Sequence, residues 1–231
     1  MKTDLSNWPI KFLGLFLATD IVFIIIHIIY LNTNLISSEL FSIEQDRGYA
    51  EFFQYIKEYW IALLLGLLGL RNRSVLYFAW SLLFFYLLLD DSCSIHEKLG
   101  ASISYRLGLS PAFHLRSVDF GELIVSACAG LFFLVLIAIA YRLGNRLSRK
   151  TSRHLVILLF ALALFGIVVD MLHMALPFPA WTPFFGLLED GGEMVVMSMM
   201  AWLVFSVSER SEQYANSLER QPSHANFGAD S

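Results

Sequence analysis

Charge is scarce in this chain: Lys, Arg, Asp and Glu together make up only 16% of its 231 residues, against about 25% in soluble domains. With 57% hydrophobic residues, 20 of them Phe, and a mean hydropathy of +0.61, too little polar surface is left to cover a water-soluble globule. The same composition excludes a disordered chain and a collagen-like one. Cysteine is nearly absent: Cys93 and Cys128 exclude a disulfide scaffold and read as small apolar core residues with no message about the redox compartment. Alternating runs and hairpin turns are missing, which excludes a β-barrel. No internal repeat is visible.

What is present is a series of long apolar runs. About 20 apolar helical residues cross a bilayer core of about 30 Å. Such runs fall at 10–31, 52–70, 74–97, 119–141, 154–176 and 184–206. Gln54, Lys57 and Glu58 sit in the first turns of the second run, and their long side chains are expected to snorkel to the interface. Lys2 and Lys11 precede the first run as in a secretory signal, but Asp20 interrupts it and no A-x-A-like cleavage site follows, so an uncleaved helix is expected. The fold class is therefore all-α, a polytopic membrane domain of six helices over 1–208. A polar segment, 209–231, is expected to be a disordered cytoplasmic tail.

Six spans place both termini on one side with the 71–73 and 142–153 loops. That side collects eleven of the 16 Lys and Arg, the other side five. By the positive-inside bias both termini are expected in the cytoplasm, and the protein in a bacterial inner membrane.

The acids go the other way. Span three ends in Asp90-Asp91-Ser92-Cys93-Ser94-Ile95-His96-Glu97, and span four opens with Asp119-Phe120-Gly121-Glu122. Span five ends in Asp170-Met171-Leu172-His173, and span six opens with Glu189-Asp190-Gly191-Gly192-Glu193. Four helices thus bring nine carboxylates and two histidines to one membrane depth. Asp119 and Glu122, Asp170 and His173, and Glu189 and Glu193 are spaced three or four apart, so each pair shares a helix face. Asp119-x-x-Glu122 also reads as an N-cap with an acid at N3, at even odds with a ligand role. Thr182-Pro183 makes a good N-cap and N1 pair, which starts the last helix early and carries its acids a turn or two inside. Asp90, Asp91, Glu97 and Asp170 lie near helix C-termini, where the dipole disfavours negative charge. Few cations are nearby in sequence: Lys98, Arg106 and Arg116. Either a low dielectric holds several acids protonated, or bound cations balance them.

Imidazole among carboxylates points to Fe, Mn or Zn. The inventory resembles the carboxylate-bridged di-metal sites of ferritin-like four-helix bundles, in which four helices each supply a carboxylate and two supply a His. That resemblance covers only 85–125 and 165–195, and it departs from the family pattern: Asp-x-x-His stands for Glu-x-x-His and occurs once. Adjacent His96 and Glu97 point about 100° apart, so both ligate one ion only where the helix unwinds. An HxxxH of the alkaline ceramidase and adiponectin-receptor type is missing, as are desaturase His boxes and a deep Lys for a retinal Schiff base. The whole set of motifs is similar to that of uncharacterised bacterial multi-pass proteins.

The expected site accordingly has His96, Glu97, Glu122, Asp170, His173, Glu189 and Glu193 as ligands of a divalent metal, single or dinuclear. Asp90, Asp91, Asp119 and Asp190 support them or carry protons. Asp20 and His27, seven apart on span one, form an auxiliary pair or a buried hydrogen-bonded one. Met194, Met197, Met199 and Met200 read as packing rather than as copper ligands. The 98–117 segment, with Tyr105, Arg106, His114 and Arg116, is expected to lie over the site as a lid.

Three functions follow as expectations. The first is a metalloprotein, such as a metal-dependent oxidoreductase or hydrolase, acting on a lipid or other apolar substrate. The second is a divalent-cation or proton transporter or channel subunit, and the third a non-catalytic subunit of a larger membrane complex. Membrane lipids are the expected partners and nucleic acid is not; the oligomeric state is not written in the sequence.

Overall fold

The computed structural model describes residues 8–176 and 181–219. Among them the chain is all-helical, with no β-strand: α1 (Trp8–Asn32), α2 (Tyr49–Asn72), α3 (Val75–Cys93), α4 (Ile95–Leu107), α5 (Ser117–Leu143), α6 (Arg146–Ala163), α7 (Asp170–Ala175) and α8 (Thr182–Glu219). A π-helical turn, Leu164–Val169, joins α6 to α7. Five stretches are long and apolar enough to cross a membrane: α1, α3, α5, the α6–α7 unit Arg146–Ala175, and α8 over Thr182–Tyr214.

The second run becomes α2, which is too polar to join those five yet has a two-faced surface. Its exposed large apolar and aromatic side chains, Tyr49, Phe52, Ile56, Tyr59, Leu63, Leu67 and Leu70, recur every three or four residues, and Arg71 in the last turn is its one exposed charge. Its remaining polar side chains point the other way. Lys57 and Glu58 are 0% and 1% exposed, so they do not snorkel. They turn inward because the opposite face of α2 packs on α3 and α8, where buried partners wait for them.

The axis of the bundle is α8. Just over half (56%) of its apolar window is buried, against 11–39% in the other four candidate spans, and it touches α1, α2, α6 and α7. It begins at Thr182, one residue ahead of the Pro183 start expected with Thr182 as N-cap, and it continues beyond the expected end at 206 to Glu219. The polar segment after 208 is thus helical as far as 219. Glu209, Arg210, Glu212 and Gln213 are good helix formers, Gln213 Nε2 donates to Glu209 Oε1 at 3.1 Å, and Arg71 lies 3.8 Å from Glu212. The remaining 220–231 of the expected tail fall outside the described residues.

Two glycines decide how the 98–117 segment is built. Ser94, left-handed at φ 50°, ends α3, so the expected single span over 74–97 is broken and α4 starts a new direction. A Cβ on Gly121 would run into the Gly100 carbonyl, and one on Gly100 would stand 2.6 Å from the Glu122 amide. Only two facing glycines let these backbones approach so closely. The first half of the segment, 98–107, is therefore helix packed on α5, where sequence suggested a loop-like lid.

At the end of the bundle opposite the acids, the interior is closed by large side chains. Leu76, Tyr77, Trp80, Phe84, Leu155, Met200 and Val204 are at most 1% exposed and belong to one continuous core. Trp80 Nε1 donates to Ser152 Oγ at 2.9 Å, and Tyr77 Oη lies 3.4 Å from Thr151 Oγ1. Cys93 and Cys128 are free and exposed, not core residues. An apolar run on the outside of such a bundle has the same composition as one inside.

Candidate functional site: an acidic chamber with an apolar floor

Helices α2, α3, α5 and α8, the start of α4, the α6–α7 unit and the loop before α2 line an open cavity of about 510 Å³. Eleven carboxylates line it: Glu44, Asp46, Glu51, Glu58, Asp90, Asp91, Glu97, Asp170, Glu189, Asp190 and Glu193. No Lys or Arg does among the described residues, and His96 is the one histidine. Deeper, the walls change to Leu83, Leu87, Phe133, Leu134, Leu159 and Ile167.

Two cations beside the chamber, Lys57 and Arg116, are committed to other partners. Lys57 Nζ donates to Asp20 Oδ1 at 3.1 Å, to the Met194 carbonyl at 3.0 Å and to Ser198 Oγ at 3.2 Å. Its three protons are all used. Ser198 Oγ donates to the other Asp20 oxygen at 2.5 Å. Arg116 grips Asp119 Oδ1 through Nε (2.9 Å) and Nη2 (2.7 Å), and its backbone N–H donates to Asp119 Oδ2 at 2.7 Å. Asp119 is thus the N3 member of a capping box that starts α5. The expected cap, Asp119 as N-cap with Glu122 at N3, is not formed: the helix starts three residues earlier, with Arg116 as its N-cap.

Of the seven expected metal ligands, the cavity gathers His96, Glu97, Asp170, Glu189 and Glu193; Glu122 and His173 do not line it. His173 Nδ1 is 3.2 Å from Glu189 Oε2 and its ring stacks on Phe185 at 6.0 Å. His96 pairs separately: its backbone N–H donates to Asp90 Oδ1 at 2.7 Å, and its Nδ1 lies 3.2 Å from Asp90 Oδ2. Asp90 therefore sits at the end of α3 yet satisfies an orphan amide at the start of α4, where the dipole welcomes it. The same carboxylate holds the His96 imidazole above its usual range, aided by Asp91 and Glu97 and opposed by partial burial. Among the described residues, no three His, Cys, Asp or Glu side chains converge closely enough to hold a metal ion.

Asp20 and His27 are both buried, but they serve different partners. Asp20 takes Lys57. His27 Nδ1 accepts from the Ile43 N–H at 3.4 Å and lies 3.2 Å from Ser42 Oγ, which places the ring proton on Nε2, 3.7 Å from Glu44. The loop before α2 is pinned there. Glu44 also lies against Gly186, where a Cβ would strike its Oε1. Met194, Met197 and Met200 are core residues, and Met199 is partly exposed.

Sequence reading passed over the α2 contribution. Glu51, Gln54 and Glu58 recur at i, i+3 and i+7, which is one helix face; that spacing was the available signal. Glu58 and Asp91 face each other carboxyl to carboxyl. Gln54 Nε2 donates to Glu193 Oε2 at 3.4 Å, while Gln54 Oε1 and Glu58 Oε2, both buried, have no hydrogen-bond partner among the described residues. The Glu193 carboxyl rests on the π-helical turn: a Cβ at Gly166 would overlap its Oε1. Extra turns of this kind recur at functional sites.

A family model described as a domain of unknown function, DUF8692, matches residues 15–208, and the chain belongs to that family. No curated protein and no solved structure matches the chain.

Proposed function

We propose that this DUF8692 member is an integral membrane protein of six spans, termini cytoplasmic, whose acidic chamber binds a cation arriving from the opposite, periplasmic side. The sixth span is α2. Its 24 residues reach about 36 Å at 1.5 Å per residue, and its exposed stripe is as apolar as a lipid-facing surface requires. The eleven-to-five distribution of basic residues gives the orientation.

One observation carries the cation reading: eleven carboxylates line the cavity without a Lys or Arg among them. A carboxyl packed against a carboxyl, as at Glu58 and Asp91, is tolerated only when a proton or a cation lies between them. The continuous core at the far end favours a one-sided site over a conduit, because a path needs polar groups across the whole bilayer. A divalent metal, Fe, Mn or Zn, is the inorganic form of this ligand. Oxygens of Glu58, Asp91, Glu193 and Gln54 would hold it after turning toward one point. The catalytic form, a metal-dependent oxidoreductase or hydrolase, would use the apolar floor for its substrate.

The test is ligand-dependent stability in lipid nanodiscs. A cation at about 100 times its Kd stabilises the fold by about 2.7 kcal/mol. Mn²⁺, Zn²⁺ and simple alkylammonium ions are the probes, and at least one is expected to stabilise the wild type and not Glu58→Gln/Asp91→Asn. Indifference of the wild type to all of them overturns the proposal.

A further inference from the structure

The chamber has two halves, and a metal ion would use only one. A volume of about 510 Å³ is that of a site for an organic ligand. The carboxylates occupy one part of its wall and Leu83, Leu87, Phe133, Leu134, Leu159 and Ile167 the other. Resting on the cation reading above, we infer that the ligand is an amphiphile with a primary ammonium head, its hydrocarbon chain lying on the apolar floor.

Three observations beyond the acidic lining support this. First, Glu58 is 1% exposed, lines the cavity, and its Oε2 has no donor among the described residues. Gln54, 8% exposed, has its Oε1 in the same condition. Buried acceptors without donors are costly, and an ammonium group brings three donors and a positive charge to one place. Second, no three potential metal ligands converge among the described residues, whereas an ammonium needs no fixed coordination polyhedron. Third, the lining has no Lys or Arg to receive a phosphate, sulfate or carboxylate, so an anionic amphiphile is repelled. A neutral chain would leave Glu58 Oε2 and Gln54 Oε1 without a donor.

The chain's share is measurable. Each buried methylene contributes about 0.8 kcal/mol, close to fourfold in affinity. Butylamine, octylamine, 1-octanol and octyl sulfate are titrated against the protein in nanodiscs, with empty discs subtracted and affinity referred to the free aqueous concentration. Octylamine is expected to bind saturably and at least about tenfold more tightly than butylamine, below the ceiling near 200-fold for four fully buried methylenes. Octanol and octyl sulfate should not saturate. Glu58→Gln/Asp91→Asn should abolish amine binding at both lengths.

Gly130 lines the cavity, and a side chain added there meets nothing within 4 Å. Gly130→Leu should therefore fill the floor and flatten the length dependence while butylamine still binds. Ala163→Phe is the second filling variant should the first misfold. Two results overturn this inference alone: Mn²⁺ stabilises the protein while amines do not bind, or the amines bind without length dependence. Octanol binding as tightly as octylamine also overturns it. If neither metal nor amine binds, the cation reading itself falls.

Discussion

The interior ion pair of α1 and α2 makes a sharp prediction. Lys57 Nζ and Asp20 Oδ1 are 3.1 Å apart with both side chains fully buried. At an effective dielectric of ~20 that separation is worth about 5 kcal/mol of attraction, and hydrogen bonds to the Met194 carbonyl and Ser198 satisfy the remaining protons. Lys57→Met leaves the Asp20 carboxylate with Ser198 alone. Breaking a buried pair in this way costs about 3–5 kcal/mol, while replacing both members with apolar residues of similar size is neutral or better. The expected outcome in SDS-titrated unfolding is a loss of about 3–5 kcal/mol for Lys57→Met. A similar loss is expected for Asp20→Leu, and stability within about 1 kcal/mol of wild type for the double variant. The coupling energy of the cycle is then at least about 5 kcal/mol. A lysine that instead snorkelled to the interface would be worth no more than an exposed pair, about 0–1 kcal/mol. A small single-variant loss with no coupling would refute the inward placement, and with it the argument that α2 crosses the membrane with its polar face turned in.

Other predictions follow from close approaches and from His96. Gly121→Val drives a side chain into the Gly100 carbonyl and should cost about 1–3 kcal/mol or more, with new protease cleavage in α4. Gly130→Ala, with open space around it, should be neutral or gain up to about 1 kcal/mol from helix propensity. Gly166→Ala displaces only the far end of Glu193, so the fold should survive while cation affinity drops by about tenfold or more, the loss of a charge-assisted contact. His96 is held above its usual range, chiefly by Asp90, so the stability it contributes is full below pH 6.5 and fades as pH rises through its higher folded value. Carbethoxylation of His96 against pH should show a midpoint above 6.5 that falls in Asp90→Asn; an unchanged midpoint would separate the imidazole from that carboxylate.

Some of this was written in the chain itself. Apolar run length gives the helices, because backbone hydrogen bonds in apolar surroundings must be met within the segment, but not all of their ends: the break at Ser94 and the continuation of α8 to Glu219 lie outside that signal. Thr182-Pro183 placed the start of α8 to within one residue, for a local reason. The gathering of acids at one end also follows from sequence once consecutive helices alternate in direction, and five of the seven expected ligands do line one chamber.

Which acid meets which partner was not legible. Asp20 and His27 share a face of α1, yet one binds Lys57 on α2 and the other holds the loop before α2, choices made by helices brought together only on packing. The core side and outer side of an apolar helix look alike in composition, so Cys93 and Cys128 gave no sign of facing outward. His96 and His173 each found a carboxylate of their own; for His96 the break at Ser94 sets the start of α4 beside Asp90. The apolar floor is assembled from residues of α3, α5 and the α6–α7 unit. Each of them reads singly as one more leucine or phenylalanine in a span, and only their meeting beneath the carboxylates makes a binding chamber.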